Sequence, residues 1–214
     1  MSEQEWYNSR DPLAMLAFLE DKVSDRKFRL FACACCRRLE QYLTGEQSRM
    51  AIEVAERYAD GLATDDELAK ATKSLEIVPP VNQLYPNAPA YYATWDYALD
   101  AATSAAEASV EVIENAGIDP DTERSAQAAN LRDLVGPLVF RPVNISSAWL
   151  LWENGMIPQL AEAIYEDQDF HRLPILADAL EEAGCTEVVI LKHLRSPGMH
   201  IRGCWVVDLI LGKE

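Results

Sequence analysis

Apolar residues recur at steps of three and four along most of the chain, which is the spacing of one face of an α-helix. The clearest case follows Ser24, where Phe28, Phe31, Cys35 and Leu39 share one stripe. Small side chains such as cysteine are typical fillers of a helix core. We therefore expect the cysteine-rich segment "FACACCRR" to be buried packing material.

Residues that begin and end helices stand at the ends of these periodic segments. Asp11 and Asp119 each precede a proline, as an N-cap residue precedes the first helical position. Thr44 and Thr64 are each followed three residues later by Gln or Glu, which predicts a capping box. The pattern predicts an all-α fold, a multi-helix globular bundle or array.

A proline-rich segment interrupts the helical pattern. Residues 77–89 read "IVPPVNQLYPNAP" and hold four prolines, which remove backbone donors and exclude a helix interior. The segment predicts a loop between two helical subdomains, residues 1–76 and residues 90–214. A loop packed on the surface of a single domain is the alternative.

A second interruption lies around two further prolines. Pro137 and Pro142 border an extended stretch, which predicts at most a short strand near 138–144 because no pairing strand is evident. Trp149 and Trp152 then follow on a short helix, where large aromatic rings usually pack into a core.

Charge and cysteine usage limit the classes of function. The formal net charge is −16, which disfavours nucleic acid as a partner because the chain as a whole repels phosphate. No apolar run reaches the ~18 residues of a membrane helix, and the N-terminus lacks a secretion signal. An odd count of five cysteines in a chain without a secretion signal indicates reduced thiols. We expect a cytoplasmic protein.

One region reverses the acidic charge locally. Its basic residues lie close together in the sequence: Arg26, Lys27, Arg29, Arg37 and Arg38. They either pair with acids of the same chain or contact an acidic partner. The first hypothesis for function is a non-enzymatic protein–protein interaction or adaptor protein with an acidic surface; the partner and the oligomeric state stay open.

The C-terminus concentrates residues that bind metals. Cys185, His193, His200 and Cys204 offer a Cys2His2 donor set for zinc, the only cofactor that the sequence suggests. Their spacing is not that of a zinc finger, and Cys185 and His193 lie about 12 Å apart along a helix. Three ligands, His193, His200 and Cys204, therefore fit one ion better. His200 and Cys204 share a face if residues 200–211 are helical.

The same stretch supports an alternative function, a small enzyme or ligand-binding protein. His200, Arg202 and Asp208 would be the polar lining of its site, with Trp205 and Trp152 as walls. Asp208 lies in the apolar run "CWVVDLIL" and needs a partner if it is buried. Arg202 or His200 could pair with it, which would make the contact structural.

Enzyme signatures are otherwise weak. Cys185 precedes a predicted helix and could act as a nucleophile with His200 as base and Asp208 as orienting acid. The sequence contains no GxSxG, P-loop, GxGxxG or HExxH motif. An enzymatic role is therefore the second hypothesis.

Residues 161–184, "AEAIYEDQDFHRLPILADALEEAG", resemble the bacterial repeat-companion domain. The matching positions are Arg172, Leu173, Ala177, Asp178, Leu180, Glu181, Glu182 and Gly184. Ala179 replaces the family's tryptophan, and the acidic turn is reduced to Asp167 and Asp169. The chain is also similar to bacterial proteins with a "DRKLRLFACACCRR"-like start and a "PGxHxRGCWVVDLLLGK"-like end. These resemblances imply a helical, bacterial, cytoplasmic protein with an interaction role, and they transfer no catalytic residue.

Overall fold

The computed structural model describes residues 1–75 and 86–213. Within these ranges the chain forms thirteen α-helices and no strand, which confirms the all-α prediction. The stretch 138–144 consists of turn residues, a bend and irregular backbone, without strand pairing. No helix in the described ranges has both the length and the apolar character needed to cross a membrane.

The chain divides into two compact units, Met1–Arg132 and Asp133–Glu214. Most of the predicted loop at 77–89 lies outside the described residues, and its last residues enter the sixth helix. Helices before and after this loop belong to the first unit and pack on one another. The unit boundary therefore falls near the end of the eighth helix.

The helices of the first unit are short to medium in length. They are α1 (Glu3–Asn8), α2 (Pro12–Leu19), α3 (Asp25–Arg38), α4 (Glu46–Ala59), α5 (Asp65–Ser74), α6 (Ala88–Ala93), α7 (Ala98–Asn115) and α8 (Pro120–Val135), whose last turn enters the second unit. The second unit contains α9 (Ser147–Leu151), α10 (Met156–Asp167), α11 (Leu173–Glu182), α12 (Val188–Leu194) and α13 (Trp205–Leu211).

Helix α3 is the centre of the first unit and packs against α4, α6 and α7. Every residue from Phe28 to Cys36 is buried, so α3 is covered on more than one face. Burial raises the pKa of the thiols of Cys33, Cys35 and Cys36 well above the usual range. The cysteine cluster is therefore neutral packing material, as the sequence predicted.

Helix starts follow the sequence in most places, with one exception. The Asp11 carboxylate accepts from two backbone N–H groups of α2, and Thr64 forms the predicted capping box with Glu67. The capping box predicted at Thr44 is wrong, because α4 begins after Gly45. The Thr44 hydroxyl instead accepts from the Asn87 amide at 2.9 Å.

The second unit is built on one apolar cluster to which α10, α11, α12 and α13 all contribute. Trp149 and Trp152 pack against this cluster while remaining partly exposed, which agrees with their predicted role as packing residues. Helix α13 contributes Trp205, Val206, Val207 and Ile210 to this cluster. The last helix is therefore part of the core of this unit.

Candidate metal centre

Four potential metal ligands converge in the second unit: Asp133, His193, His200 and Cys204. Each contributes one donor atom, and these four atoms all lie within 4.8 Å of one another. Asp133 stands in the last turn of α8 and His193 in the last turn of α12. His200 lies in the connection between α12 and α13, and Cys204 is the N-cap residue of α13.

The donor atoms lie close to one another. His193 Nε2 lies 3.1 Å from Cys204 Sγ and 3.2 Å from Asp133 Oδ1. His200 Nδ1 lies 2.6 Å from the same Asp133 oxygen. Ligand atoms at the corners of a zinc tetrahedron are about 3.3–3.8 Å apart, given the usual zinc–nitrogen and zinc–sulfur bond lengths. Small side-chain movements would convert this cluster into a coordination shell.

Outer contacts orient two of the four ligands. The backbone N–H of Ile201 donates to Asp133 Oδ2 at 2.9 Å, which leaves Oδ1 directed toward the cluster. His200 Nε2 lies 3.4 Å from the Ser196 carbonyl oxygen, which leaves Nδ1 facing Asp133. Metal-binding histidines usually donate their second ring N–H to such an acceptor, which fixes the tautomer.

Charge within the cluster favours an ionised Asp133. Burial alone would raise the pKa of this carboxyl, but hydrogen bonds from His193 and His200 outweigh burial and lower its pKa. Burial would likewise lower the pKa of His200, yet its hydrogen bond to Asp133 and the carboxylate charge raise the pKa overall. The carboxylate is therefore held in the anionic form that a metal ligand requires.

The cluster is largely closed to solvent. Side-chain exposure is 5% for Asp133, 7% for His200 and 18% for His193, and Cys204 is fully buried. The Trp205 ring forms one wall, with its centroid 5.2 Å from that of His193.

Gly136 lies against the same indole. Its φ angle is +55°, and a Cβ at this position would lie 2.6 Å from ring atoms of Trp205. Glycine is therefore required here both by the left-handed backbone and by the close approach of the ring.

Three of the four residues predicted as metal ligands come together, and the fourth does not. Cys185 stands outside the cluster, just after α11, and Asp133 takes the fourth place. The helix over 200–211 that was the condition for a common face of His200 and Cys204 is not formed, because α13 begins at Trp205. His200 and Cys204 meet because the chain turns between them, with the Cys204 N–H donating to the Ile201 carbonyl at 3.0 Å.

The residues proposed for a ligand pocket are mostly packed inside the second unit. Trp205 and Asp208 are buried, and the Arg202 guanidinium lies 4.2 Å from the Tyr165 ring centroid. A surface cavity of about 480 Å³ is lined by other residues: Arg141, Pro142, Val143, Asn144, Thr186, Glu187, Val188 and Val189. The geometry therefore does not place Trp152, Arg202 and Asp208 around this cavity.

The basic side chains predicted as a partner surface are engaged within the first unit. Arg37 and Arg38 each form a two-pronged pair, with Glu56 and Glu123 respectively. Arg26 pairs with Asp60 at 2.9 Å. Lys27 is half-buried and also interacts with another residue. Of the two interpretations of this patch, the geometry favours pairing with acids of the same chain.

Arg29 is different, because the residue is only 2% exposed and its guanidinium meets backbone carbonyls. It donates to the carbonyl oxygens of Ala93, Trp95 and Asp96 at 2.7–3.0 Å. The side chain therefore satisfies the backbone at the C-terminal end of α6.

Replacing Arg29 by methionine is expected to lower the free energy of unfolding by about 2–4 kcal/mol, because three carbonyls lose their donor. Urea unfolding measures the change. Arg49→Met is the matched control, since Arg49 forms an exposed pair with Glu40 at 3.5 Å; a change within about 0.5 kcal/mol is expected there. Equal losses in both variants would contradict this role of Arg29.

The arrangement of the four ligands suits coordination better than nucleophilic catalysis. A catalytic histidine holds the nucleophile at one ring nitrogen and the orienting acid at the other. Here Cys204 and Asp133 both approach Nε2 of His193, as ligands around one ion do. No protein-family model, no curated protein and no solved structure matches the chain, so the centre is interpreted from its own geometry.

Proposed function

We propose that this chain is a zinc-binding protein whose second unit holds one Zn²⁺ between Asp133, His193, His200 and Cys204. The observation that carries the proposal is the convergence of four donor atoms of different chemistry within 4.8 Å. One thiolate, two imidazoles and one carboxylate are all ligands that zinc accepts in tetrahedral sites.

The proposed role of the metal is structural. Catalytic zinc sites keep one position open for water or substrate, whereas structural sites use four protein ligands. The four side chains here account for a full tetrahedral set, and the cluster is largely buried. The metal would hold together segments of the second unit that are distant in sequence.

A non-enzymatic interaction role follows from this proposal, in which the zinc-bound unit is a rigid adaptor for a protein partner. Support comes from the closed ligand set and from the net charge of −16. The resemblance of residues 161–184 to the repeat-companion domain, which fall on α10 and α11, favours the same role. We place the protein in the cytoplasm, where a thiolate ligand stays reduced.

Metal analysis of the full chain, purified without chelator, tests the proposal. We expect one zinc per chain, and we expect it to be lost in Asp133→Asn, His193→Ala, His200→Ala and Cys204→Ser. Cobalt replacement supplies a second readout, because the cobalt-loaded wild type should show a cobalt–thiolate absorption band that Cys204→Ser lacks.

Two control variants separate the observed ligand set from other donors. His171→Ala removes the exposed third histidine, and Cys185→Ser removes a cysteine that lies outside the cluster. Both are expected to keep one zinc per chain. Zinc retained in Asp133→Asn but lost in Cys185→Ser, or no zinc in the wild type after incubation with excess metal, would contradict the proposal.

A further inference from the structure

We infer that the metal centre is a latch: zinc availability controls whether the C-terminal segment 196–211 is docked on the core of the second unit. This inference rests on the proposed function and adds regulation to it. Two ligands, His200 and Cys204, lie inside the segment, whereas Asp133 and His193 lie outside it. One ion therefore ties two points of the segment to two points of the remaining unit.

The first half of the segment has little structure of its own. Residues 196–204 form no helix or strand, and Ser196 to Met199 are exposed. This stretch contacts the rest of the unit at the metal centre, where His200 and the Ile201 N–H both reach Asp133, and at Arg202, which packs over the Tyr165 ring. Removing the metal would remove the bonds that join His200 and Cys204 to Asp133 and His193 through the ion.

The second half of the segment depends on docking. Helix α13 has seven residues, about half the length at which an isolated helix becomes marginally stable in water. Its helical form therefore depends on burial of Trp205, Val206, Val207 and Ile210 in the apolar cluster. Cys204 is the N-cap residue of α13, so the metal would fix the point at which this helix begins.

Release of α13 would uncover the apolar face on which it packs. Helix α10 contacts α13 directly, and Ile157, Ile164 and Leu176 belong to the same buried cluster. Contiguous apolar surface of this kind normally marks a binding site when it becomes exposed. The latch would thereby couple zinc to exposure of an apolar surface, while α10 and α11 keep their own packing contact.

Hydrogen–deuterium exchange of the full wild-type chain tests the latch, with zinc and after removal of zinc by dialysis against a chelator. We expect the amides of residues 201–211 to exchange at least tenfold faster without zinc. Amides of α10, α11 and α3 are expected to change by less than twofold. An apolar dye should bind the zinc-free protein more strongly, because the cluster loses its cover.

The outcomes separate the latch from the proposed function. Zinc binding without faster exchange in 201–211 overturns the latch and leaves the zinc site intact. Equal acceleration in α10, α11 and α13 also overturns it, because zinc would then support the whole unit. Failure to bind zinc overturns both. Val207→Ser, which keeps all four ligands, should raise exchange in α13 even with zinc bound; no change there would contradict the dependence of α13 on docking.

Discussion

Removal of zinc is expected to lower the melting temperature of the protein by roughly 8–16 °C. A ligand that binds only the folded state adds about 4 kcal/mol when its free concentration is about a thousand times Kd. For a chain of about 200 residues, each kcal/mol moves the melting temperature by about 2–4 °C. The buried, four-ligand geometry makes binding to the unfolded chain weak by comparison, because the ligands come from separate parts of the sequence.

Thermal unfolding followed by circular dichroism measures this shift, in protein dialysed against chelator and in protein with increasing free zinc. The melting temperature should rise with the logarithm of the zinc concentration. Asp133→Asn should melt at one temperature in both conditions, and Cys185→Ser should keep the full shift. A shift of equal size in Asp133→Asn would mean that zinc acts at another site.

Local sequence signals were sufficient to predict where several of the helices begin. The pairs Asp11–Pro12 and Asp119–Pro120 stand at helix starts, and Thr64 caps α5 as its sequence indicates. Such signals work because a cap is a contact between residues two or three positions apart. Thr44 shows the limit: its hydroxyl pairs with Asn87, 43 positions later, and a tertiary contact replaces the local one.

The candidate metal centre could be predicted only in part, for the same reason. His193, His200 and Cys204 stand within twelve positions of one another, so their density in the sequence is visible. Asp133 lies 60 positions before His193, in a helix that carries other acids. One signal was available: its neighbours Leu131, Leu134 and Val135 are apolar and buried. An acid among core positions requires a partner, but its position in the sequence does not identify that partner.

The backbone geometry of the connection before α13 could not be predicted from the sequence either. A helix over 200–211 would have placed His200 and Cys204 one turn apart on a common face. The chain instead turns at Arg202 and Gly203, and Gly203 has a φ angle of +89°. The two ligands meet in both cases, because a compact turn and a helical turn bring residues i and i+4 to similar distances. A helix was therefore the condition that the sequence set for the proximity of His200 and Cys204, and the structure brings them close through a turn instead.

Gly136→Ala is expected to lower the free energy of unfolding by about 2–5 kcal/mol, through two separate effects. A side chain in the left-handed region costs about 1–2 kcal/mol. The new Cβ would also lie within 2.7 Å of three atoms of the Trp205 ring, and the repacking that this overlap forces costs about 1–3 kcal/mol more. Because Trp205 follows Cys204 and packs near His193, zinc affinity should fall as well.

Gly212→Ala is a matched control, since Gly212 has a φ angle of +65° and, among the described residues, no atom lies within 4 Å of the added Cβ. Gly212→Ala should lose only the free energy of unfolding that the left-handed backbone costs. The difference between the two variants in the free energy of urea unfolding therefore measures the overlap with Trp205. The same comparison in a Trp205→Leu background should remove that difference, because the ring that the added Cβ would meet is gone. A difference that persists without the indole would show that another neighbour of Gly136 causes the strain, and the proposed link between Gly136, Trp205 and the metal ligands would be wrong.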